Sequence, residues 1–538
     1  MPDGNPTISL ESNGGFIVTE NGKLPQHPES YWRTGIDFSK FPSLEEDIQV
    51  DVIIIGAGIT GITSAYLLVN EGLKVAIIEA GEVLNGTTGH TTAKITAQHD
   101  LIYDEFIHNI GRSNARLYYE ANMEALRFIK ETVDRHKIDC DFSQQDAYIY
   151  ATTEKYARKI EKEAEAYEKI GIEGGLVDSI PFDIAIQNAL VMKKQAQFHP
   201  TKYLVHLLQT IKEKGGLVFE NTTAVNVETG EQPVVLTKED VRITADHVLT
   251  CTHFPFYEGA GLYSTRMHAD RSYALAVKAN KQYPGGIYIS ADEPTRSLRS
   301  VTINGEEMVL IVGENHKTGQ GIETMEHYKA LEQFGEEVFG LKEIVYRWSA
   351  QDLITLDKLP YIGELTSGQP NILIATGFRK WGMTNGTAAA LLFRDIIMGY
   401  ENNFEKLYTP SRFYAHPSLK NFFKENANVV GQLIKGKLDS PKTKPEDLSK
   451  GEGAVITLDG HRKGAYKDEE GKLHIVDTTC THIGCEVEWN NGERTWDCPC
   501  HGSRFSFTGE VIEGPAEKPL QKYDYTMLDN LTSEDSGY

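Results

Sequence analysis

The chain has 538 residues, more than one hydrophobic core usually supports, so two or three domains are expected. Its net charge of −23 argues against nucleic acids and anionic membrane surfaces as partners, because both attract lysine and arginine. The sequence has no signal-type leader, no run of about 18 apolar residues and only six cysteines. A cytoplasmic protein without a membrane span is therefore predicted.

Residues 1–48 are predicted to form an irregular N-terminal extension, because glycine, proline and polar residues dominate there. From Asp51 an apolar strand leads into Gly56-x-Gly58-x-x-Gly61, and a helical pattern follows. A second apolar strand then ends on Glu79. This order is typical of a dinucleotide-binding unit, in which the glycines permit a tight turn and the acid binds ribose hydroxyls. The alternative is a tight strand–helix turn that binds no ligand. The predicted nucleotide-binding residues here are Gly56, Ala57, Gly58, Ile59, Thr60, Gly61, Glu79 and Ala80.

The cofactor is predicted to be FAD, because no second glycine fingerprint of the kind needed for NAD(P)H follows a strand later in the chain. Three stretches carry a family resemblance: a Gly/Thr-rich loop at 85–94, residues 357–363 and residues 371–383. Together with the fingerprint they resemble the amino-acid and amine oxidase superfamily, which includes D-amino-acid oxidase, glycine oxidase and sarcosine dehydrogenase. The resemblance implies flavin contacts at Gly86, Thr87, Thr88, His90, Thr91, Gly377, Lys380, Trp381, Gly382 and Met383, and adenine contacts through the backbone of Val225.

No catalytic residue is assigned from the sequence, but three residues are candidates. His90 occupies the place at which some relatives bond a histidine covalently to the flavin; non-covalent contact and an ordinary loop position are the alternatives. Lys380 is a candidate to face the flavin as a cation. Arg299, like Arg271, is a candidate to bind a substrate carboxylate, with an exposed, surface-paired arginine as the alternative.

The predicted fold is α/β, with a Rossmann-type FAD-binding domain, an antiparallel-sheet substrate domain and a C-terminal all-β domain. The oxidoreductase is expected over residues 49–430. Its FAD-binding parts are placed at about 49–100, 200–260 and 345–400, and its substrate domain at about 101–199 and 261–344. Residues 431–450, rich in lysine and proline, are predicted to be a linker.

The last segment, 451–538, contains two boxes that each offer a thiolate and an imidazole. Cys480 and His482 lie in the first box, and Cys498 and His501 lie in the second. Two cysteines and two histidines in this order fit a [2Fe–2S] centre with cysteines on one iron and histidines on the other. Zinc is the alternative, although zinc modules usually group their ligands by type.

Both boxes resemble the Rieske domain of the disulfide-containing cytochrome bc type. The remaining cysteines, Cys485 and Cys500, stand at matching places in the boxes and are predicted to form a disulfide. Gly514-Pro515-Ala516 resembles the proline loop that covers the cluster in that family. Ser503 is a candidate hydrogen-bond donor to the cluster.

Together these features predict an FAD-dependent dehydrogenase of amino acids or amines that passes electrons singly through a Rieske cluster to a protein or quinone acceptor. The alternatives are an electron carrier or redox sensor without small-molecule turnover, and reverse flow that reduces a substrate. The substrate is not predicted, and a homo-oligomer is compatible with the sequence.

Overall fold

The computed structural model describes residues 24–523 except Ser39, Asn304, residues 439–442 and Asp459. Within these ranges the chain forms a nucleotide domain, a substrate domain and a C-terminal domain, each with its own sheet or sheets. No helix in the described ranges is both long and apolar enough to cross a membrane. The predicted α/β class with a C-terminal all-β domain is confirmed.

The nucleotide domain contains an eight-stranded sheet in the order β16-β17-β10-β1-β2-β7, with β9 pairing with β10 and β8 with β9. Its strands are β1 (Ile48–Ile55), β2 (Val75–Ile78), β7 (Leu217–Phe219), β8 (Ala224–Glu228), β9 (Val234–Thr237), β10 (Arg242–Thr250), β16 (Tyr361–Glu364) and β17 (Ile372–Thr376). The five strands from β17 to β7 are parallel. Residues 52–55 of β1 are buried, which explains their uninterrupted apolar sequence.

Helices pack on this sheet, and the apolar side chains between the helices and the sheet form the core. Helix α1 (Ile59–Asn70) contacts both α5 (Pro200–Glu213) and α7 (Gly382–Met398). Helix α5 begins with Pro200, and the His199 ring accepts the backbone N–H of Lys202 as the helix cap. The short helix α8 (Glu405–Tyr408) follows α7.

The substrate domain has a nine-stranded sheet in the order β15-β11-β14-β13-β12-β4-β6-β3, with β5 paired to β6. Its strands are β3 (Lys94–Ile95), β4 (Ser143–Ala151), β5 (Gly174–Val177), β6 (Asn188–Gln197), β11 (Met267–Ala279), β12 (Ile287–Ser290), β13 (Arg296–Ile303), β14 (Glu306–Lys317) and β15 (Leu341–Thr355). Its helices are α2 (Tyr103–Ile110), α3 (Arg112–His136), α4 (Glu154–Ile170) and α6 (Thr324–Phe339).

One strand differs from the expected division of the oxidoreductase. The sequence placed residues from 345 onward with the FAD-binding part, yet β15 belongs to the substrate sheet. It pairs with β11 in antiparallel register from Met267↔Thr355 to Ala279↔Leu341. Because this pairing runs along the whole strand, β15 belongs to the substrate sheet over its full length.

The C-terminal domain consists of two four-stranded sheets. The first has the order β18 (Gly453–Leu458), β19 (His461–Lys467), β20 (Leu473–Asp477) and β25 (Lys522–Tyr523). The second has the order β21 (Glu488–Asn490), β22 (Thr495–Asp497), β23 (Arg504–Ser506) and β24 (Val511–Glu513). The cluster-binding boxes lie between strands, at 480–485 and 498–503.

Helix α9 (Ala415–Leu438) extends into the predicted linker, so residues 431–438 are helical. The physical reason is packing. Val429 and Leu433 contact the apolar core of the C-terminal domain. At Gly436 a side chain would lie 2.7 Å from Cβ of Glu486. A polar, lysine-rich sequence is therefore held helical by its one buried face.

Candidate flavin and iron–sulfur sites

The turn from β1 to α1 requires glycine at positions 56 and 61 and leaves little room for a side chain at Gly58. Gly56 has φ +103°, and a Cβ there would lie 2.5 Å from the carbonyl oxygen of Cys251. A Cβ at Gly61 would lie 2.0 Å from the carbonyl oxygen of Gly56. A Cβ at Gly58 would approach the hydroxyl of Thr88 at 3.1 Å. The backbone is thus left bare where a pyrophosphate would approach.

The predicted ribose and adenine contacts lie at the same end of the sheet. The carboxylate of Glu79 accepts the N–H groups of Ala57 (2.9 Å) and Gly81 (3.0 Å). Val225 lies where the β8–β9 register shifts, so it has no partner in that pairing. The adenine contact of Val225 stays a prediction, and Ala80 is exposed beside Glu79.

The Gly/Thr-rich loop turns tightly at Thr87–His90. The hydroxyl of Thr88 accepts the N–H of Ile59 at the start of α1 (3.1 Å), which ties the loop to the fingerprint. The His90 ring contacts the carbonyl oxygen of Gly86 (3.0 Å), and its own carbonyl accepts the indole N–H of Trp348 (2.9 Å). Burial lowers the pKa of His90, so the imidazole is neutral at neutral pH.

The downstream segment 377–383 bends sharply between β17 and α7. Gly377, Arg379 and Lys380 all have left-handed backbone angles, with φ +77°, +51° and +67°. Such angles are uncommon outside glycine and concentrate at functional sites. The backbone N–H of Lys380 faces the buried carboxylate of Asp352, whose pKa is raised by burial.

Lys94 and Trp381 bring the loop and the downstream segment together. The Lys94 amine lies 5.3 Å from the Trp381 ring centre and donates to the hydroxyl of Ser297 (2.5 Å). In the described part of the chain no carboxylate forms an ion pair with Lys94. Burial lowers the pKa of this amine to about 8. A lysine with this environment marks a functional-site candidate.

Behind Trp381 lies a buried polar cluster. The His99 ring stacks on Trp381 at 4.7 Å and contacts the Tyr118 hydroxyl at 2.6 Å. Burial lowers the pKa of His99 well below its ordinary value, so this ring is neutral. The indole N–H of Trp381 has no partner among the described residues.

The two candidate arginines have different surroundings. Arg299 is buried and donates to the carbonyl oxygens of Thr92 (2.6 Å) and Ala93 (2.7 Å). It therefore holds the loop that carries Lys94. Arg271 lies against the C-terminal domain, where its Nε is 3.6 Å from Asp497.

Sequence reasoning did not single out Lys94, His99 or Asp352. One signal was available for the first: Lys94 is the only charged residue between Glu82 and Asp100, in a stretch otherwise of small, apolar and polar residues. For Asp352 no signal existed, because its importance comes from the approach of Lys380 across two domains.

The predicted cluster ligands meet at one point of the C-terminal domain. The imidazole rings of His482 and His501 lie 5.0 Å apart, and the thiols of Cys480 and Cys498 contact each other directly. Backbone N–H groups from both boxes and the Ser503 hydroxyl are directed at these sulfurs. Such donors stabilise thiolates and metal-bound sulfur.

The residues fit a histidine-ligated iron pair. The Nδ1 atom of His501 is buried and has no hydrogen-bond partner among the described residues. Burial lowers the pKa of His501 to about 4 and also lowers that of His482, so both rings take the neutral form that binds metal. Each box contributes one sulfur and one nitrogen, which suits two irons better than one zinc.

The surroundings of the ligands follow the predicted pattern. Cys485 and Cys500 form a disulfide that joins the two boxes. The Ser503 hydroxyl oxygen accepts the N–H of Ala516 (3.0 Å), which holds the proline loop over the ligands. The hydroxyl proton of Ser503 remains free to bond to sulfur.

These two sites define a flavin-dependent oxidoreductase that carries a Rieske iron–sulfur domain. Residues 51–396 match the family model for FAD dependent oxidoreductases, and residues 441–524 match that for the Rieske [2Fe-2S] domain. The chain belongs to the FAD-dependent oxidoreductase family.

Relatives agree with this assignment. The chain is 53% identical over 497 residues to the Rieske 2Fe-2S iron–sulfur protein YhfW of Bacillus subtilis, covering 92% of this chain and 98% of that protein. It is 23% identical to γ-glutamylputrescine oxidoreductase of Escherichia coli, over 71% of this chain and 92% of that protein. Its fold is similar to glycine oxidase from Geobacillus kaustophilus, with a TM-score of 0.55, 17% identity and coverage of 68% of this chain and 99% of that one.

Gly61→Ala is expected to abolish FAD retention, because the new Cβ would overlap the carbonyl oxygen of Gly56 and push α1 away from β1. The flavin-to-protein ratio after gel filtration measures this. Gly175→Ala is the matched control, since nothing lies within 4 Å of a Cβ there. Equal flavin content in both variants would contradict the assigned turn.

Lys94→Met is expected to stabilise the fold at pH 7 by up to about 3 kcal/mol, because the lowered pKa of Lys94 reflects the cost of burying its charge. The unfolded chain binds more protons than the folded one between pH 8 and about 10.5. Wild type therefore gains stability over that window, and the advantage of Lys94→Met disappears. Urea unfolding from pH 7 to 10.5 measures the difference, with the exposed Lys162→Met as control. A difference that does not vary with pH would refute the lowered pKa.

Proposed function

We propose that the protein oxidises an amino acid or amine at the flavin and passes the electrons one at a time through its own Rieske cluster to an external acceptor. FAD, when bound, supplies two-electron oxidation with one-electron release, and the cluster carries single electrons. The relatives named for γ-glutamylputrescine and glycine support the substrate class.

The observation that carries the proposal is that the two faces of β15 contact different sites. On one face, Trp348 donates to His90 in the flavin loop, and Asp352 receives the N–H of Lys380. On the other face, Arg347 donates to Gly492 (2.7 Å) and Gln351 donates to Gly502 (2.8 Å) in the C-terminal domain. Successive side chains of a strand point to opposite faces. Trp348 and Asp352 therefore contact the flavin segments, whereas Arg347 and Gln351 contact the C-terminal domain.

Gln351 also connects the two sites directly. Its main-chain carbonyl oxygen accepts the Thr87 hydroxyl of the flavin loop (3.3 Å), while its side-chain NH₂ donates to the carbonyl oxygen of Gly502, next to the predicted cluster ligand His501. This supports electron transfer within one chain rather than between chains.

Close packing supports a fixed C-terminal domain. A Cβ at Gly502 would lie 2.5 Å from Cβ of Ala269, and one at Gly319 would lie 2.8 Å from the nitrogen of Pro499. Tyr328 donates to Glu493 across the same boundary (2.6 Å). These contacts support a C-terminal domain that is packed directly on the substrate domain.

The residues around the flavin position have assignable roles. Arg299 holds the loop of Lys94 through main-chain carbonyls, and Lys94 and Lys380 would supply positive charge to a bound flavin. His99 is neutral and orients Trp381 by stacking. We assign Lys94 to hold the substrate or the reduced ring through its amine.

The test is anaerobic addition of amino acids and N-methyl amines to the purified protein, followed by stopped-flow absorption and EPR. Flavin bleaching followed by cluster reduction is expected with at least one compound. In Cys498→Ser the flavin should still bleach, but no cluster signal should appear. A protein that shows no bleaching across the panel would instead be a carrier or sensor.

Gln351→Met is expected to slow cluster reduction at least several-fold while leaving the rate of flavin bleaching unchanged, because it removes the side-chain bonds to Gly502, Thr318 and Arg271 but keeps the main-chain carbonyl that accepts the Thr87 hydroxyl. Thr318→Val is the matched control: it removes the hydroxyl bonded to the same amide oxygen (2.8 Å) but keeps the Gly502 contact. If both variants transfer electrons at the wild-type rate, Gln351 does not position the two centres.

A further inference from the structure

Helix α9 has an exposed apolar face that no other part of the described chain covers. Its apolar stripe consists of Leu419, Phe423, Ala427, Val430 and Ile434. The exposed fraction is 69% at Phe423, 55% at Val430 and Ile434, and 47% at Leu419. Their spacing of four, four, three and four residues places all five on one side of the helix. The stripe extends over about 22 Å.

Lysines border this stripe, although the chain as a whole is strongly acidic. The lysine row consists of the exposed residues Lys420, Lys424, Lys435 and Lys437. The only acid in the helix is Glu425, which is buried and paired with Lys317 on β14. The exposed face of α9 therefore carries four positive charges and no negative one, in a protein of net charge −23.

The opposite face of α9 packs on the cluster domain. The Val429 carbonyl oxygen lies 3.9 Å from the sulfur of Cys500, and Leu433 contacts the same apolar core. A surface bound to the apolar stripe would therefore lie one helix diameter, about 10 Å, from the disulfide that joins the ligand boxes.

We propose that this face of α9 binds the surface of an anionic lipid bilayer, with the apolar stripe among the headgroups and the lysine row on the phosphates. An amphipathic helix with protruding phenylalanine and leucine beside lysines is suited to this interface. Phe413, just before the helix, is a further exposed apolar side chain, with an exposed fraction of 68%.

A second copy of the chain fits this face less well. Five side chains on one helix fall well short of the roughly 20–30 residues per side in a stable dimer. Antiparallel pairing would also bring Lys420 of one copy near Lys437 of the other, and like charges repel.

The net charge adds a specific expectation about salt. At very low ionic strength the many acids repel an anionic vesicle from a distance. At about 0.1 M salt, screening over about 10 Å removes that repulsion but leaves lysines in direct contact effective. Binding should therefore be strongest near 0.1 M and weaken again by 0.5 M.

The test is cosedimentation of the full-length holoprotein with vesicles of phosphatidylglycerol and phosphatidylcholine (1:1), and with phosphatidylcholine alone. Binding is expected to the first and at least tenfold less to the second. Phe423→Ser with Ile434→Ser should lower partitioning at least tenfold. Each Lys→Gln change in the lysine row should lower it about fivefold.

Matched controls change equally exposed residues elsewhere. Leu176→Ser with Ile322→Ser replaces two exposed apolar residues of the substrate domain, and Lys→Gln at 155, 159, 162 and 169 neutralises exposed lysines of α4. These should bind vesicles as wild type does. Flavin and cluster absorption verify that every variant is folded.

The proposal is overturned if the wild type does not bind the anionic vesicles, or if the stripe variants bind as well as the controls. It is also overturned if the wild type is a dimer that Phe423→Ser with Ile434→Ser converts to a monomer, since a second copy would then occupy the face. The vesicle measurement needs no substrate. Vesicle binding can therefore be absent while flavin-to-cluster electron transfer is observed, and vesicle binding can be observed while that electron transfer is absent.

Discussion

The structure depends on the burial of one charge, that of Asp497. This carboxylate lies between Arg271 of the substrate domain (3.6 Å) and Arg504 of its own domain (3.4 Å), and it accepts bonds from Asn490 and Thr495. Burial alone would raise its pKa, but the two guanidinium groups hold it below the ordinary value. Removing one partner of such a buried pair typically costs about 3–5 kcal/mol. Because Cys498 follows directly, this pairing fixes the second ligand box against the substrate sheet.

The same sheet explains why the two sites stay in register with each other. Arg271 and Gln351 are direct cross-strand partners on β11 and β15. Cross-strand partners point to the same face, so their contacts to Asp497 and Gly502 lie side by side. Asp352, one residue further, points to the other face and meets Lys380. One strand therefore fixes both the flavin segment and the cluster box.

Much of this arrangement could be predicted from local sequence. The fingerprint Gly56–Gly61 and the cluster boxes are short segments whose chemistry depends on residue type and spacing. The position of each domain relative to the others could not be predicted, because it depends on contacts such as Arg271 with Asp497, 226 residues apart in the sequence. For the same reason Arg271 was a candidate for substrate binding: an arginine in a strand does not reveal which domain will cover it.

The helical part of the expected linker is a second feature that local sequence could not predict. Residues 431–438 contain two glycines, which disfavour a helix, among residues that permit one, so the composition alone does not predict that this segment is helical. At Gly436 the C-terminal domain packs so closely that a side chain would not fit, and this contact holds the helical segment against that domain. Once that face is buried, the remaining residues of α9 point to solvent, and the apolar ones among them serve no internal packing.

A register error of one residue on β15 would exchange the two faces and place Gln351 toward the flavin segment. The long pairing with β11 makes such a slip costly, since thirteen cross-strand pairs would be broken together. The side chains that contact the flavin segment and those that contact the ligand box thus lie on opposite faces of one strand, and the backbone pairing with β11 fixes which residue faces which way.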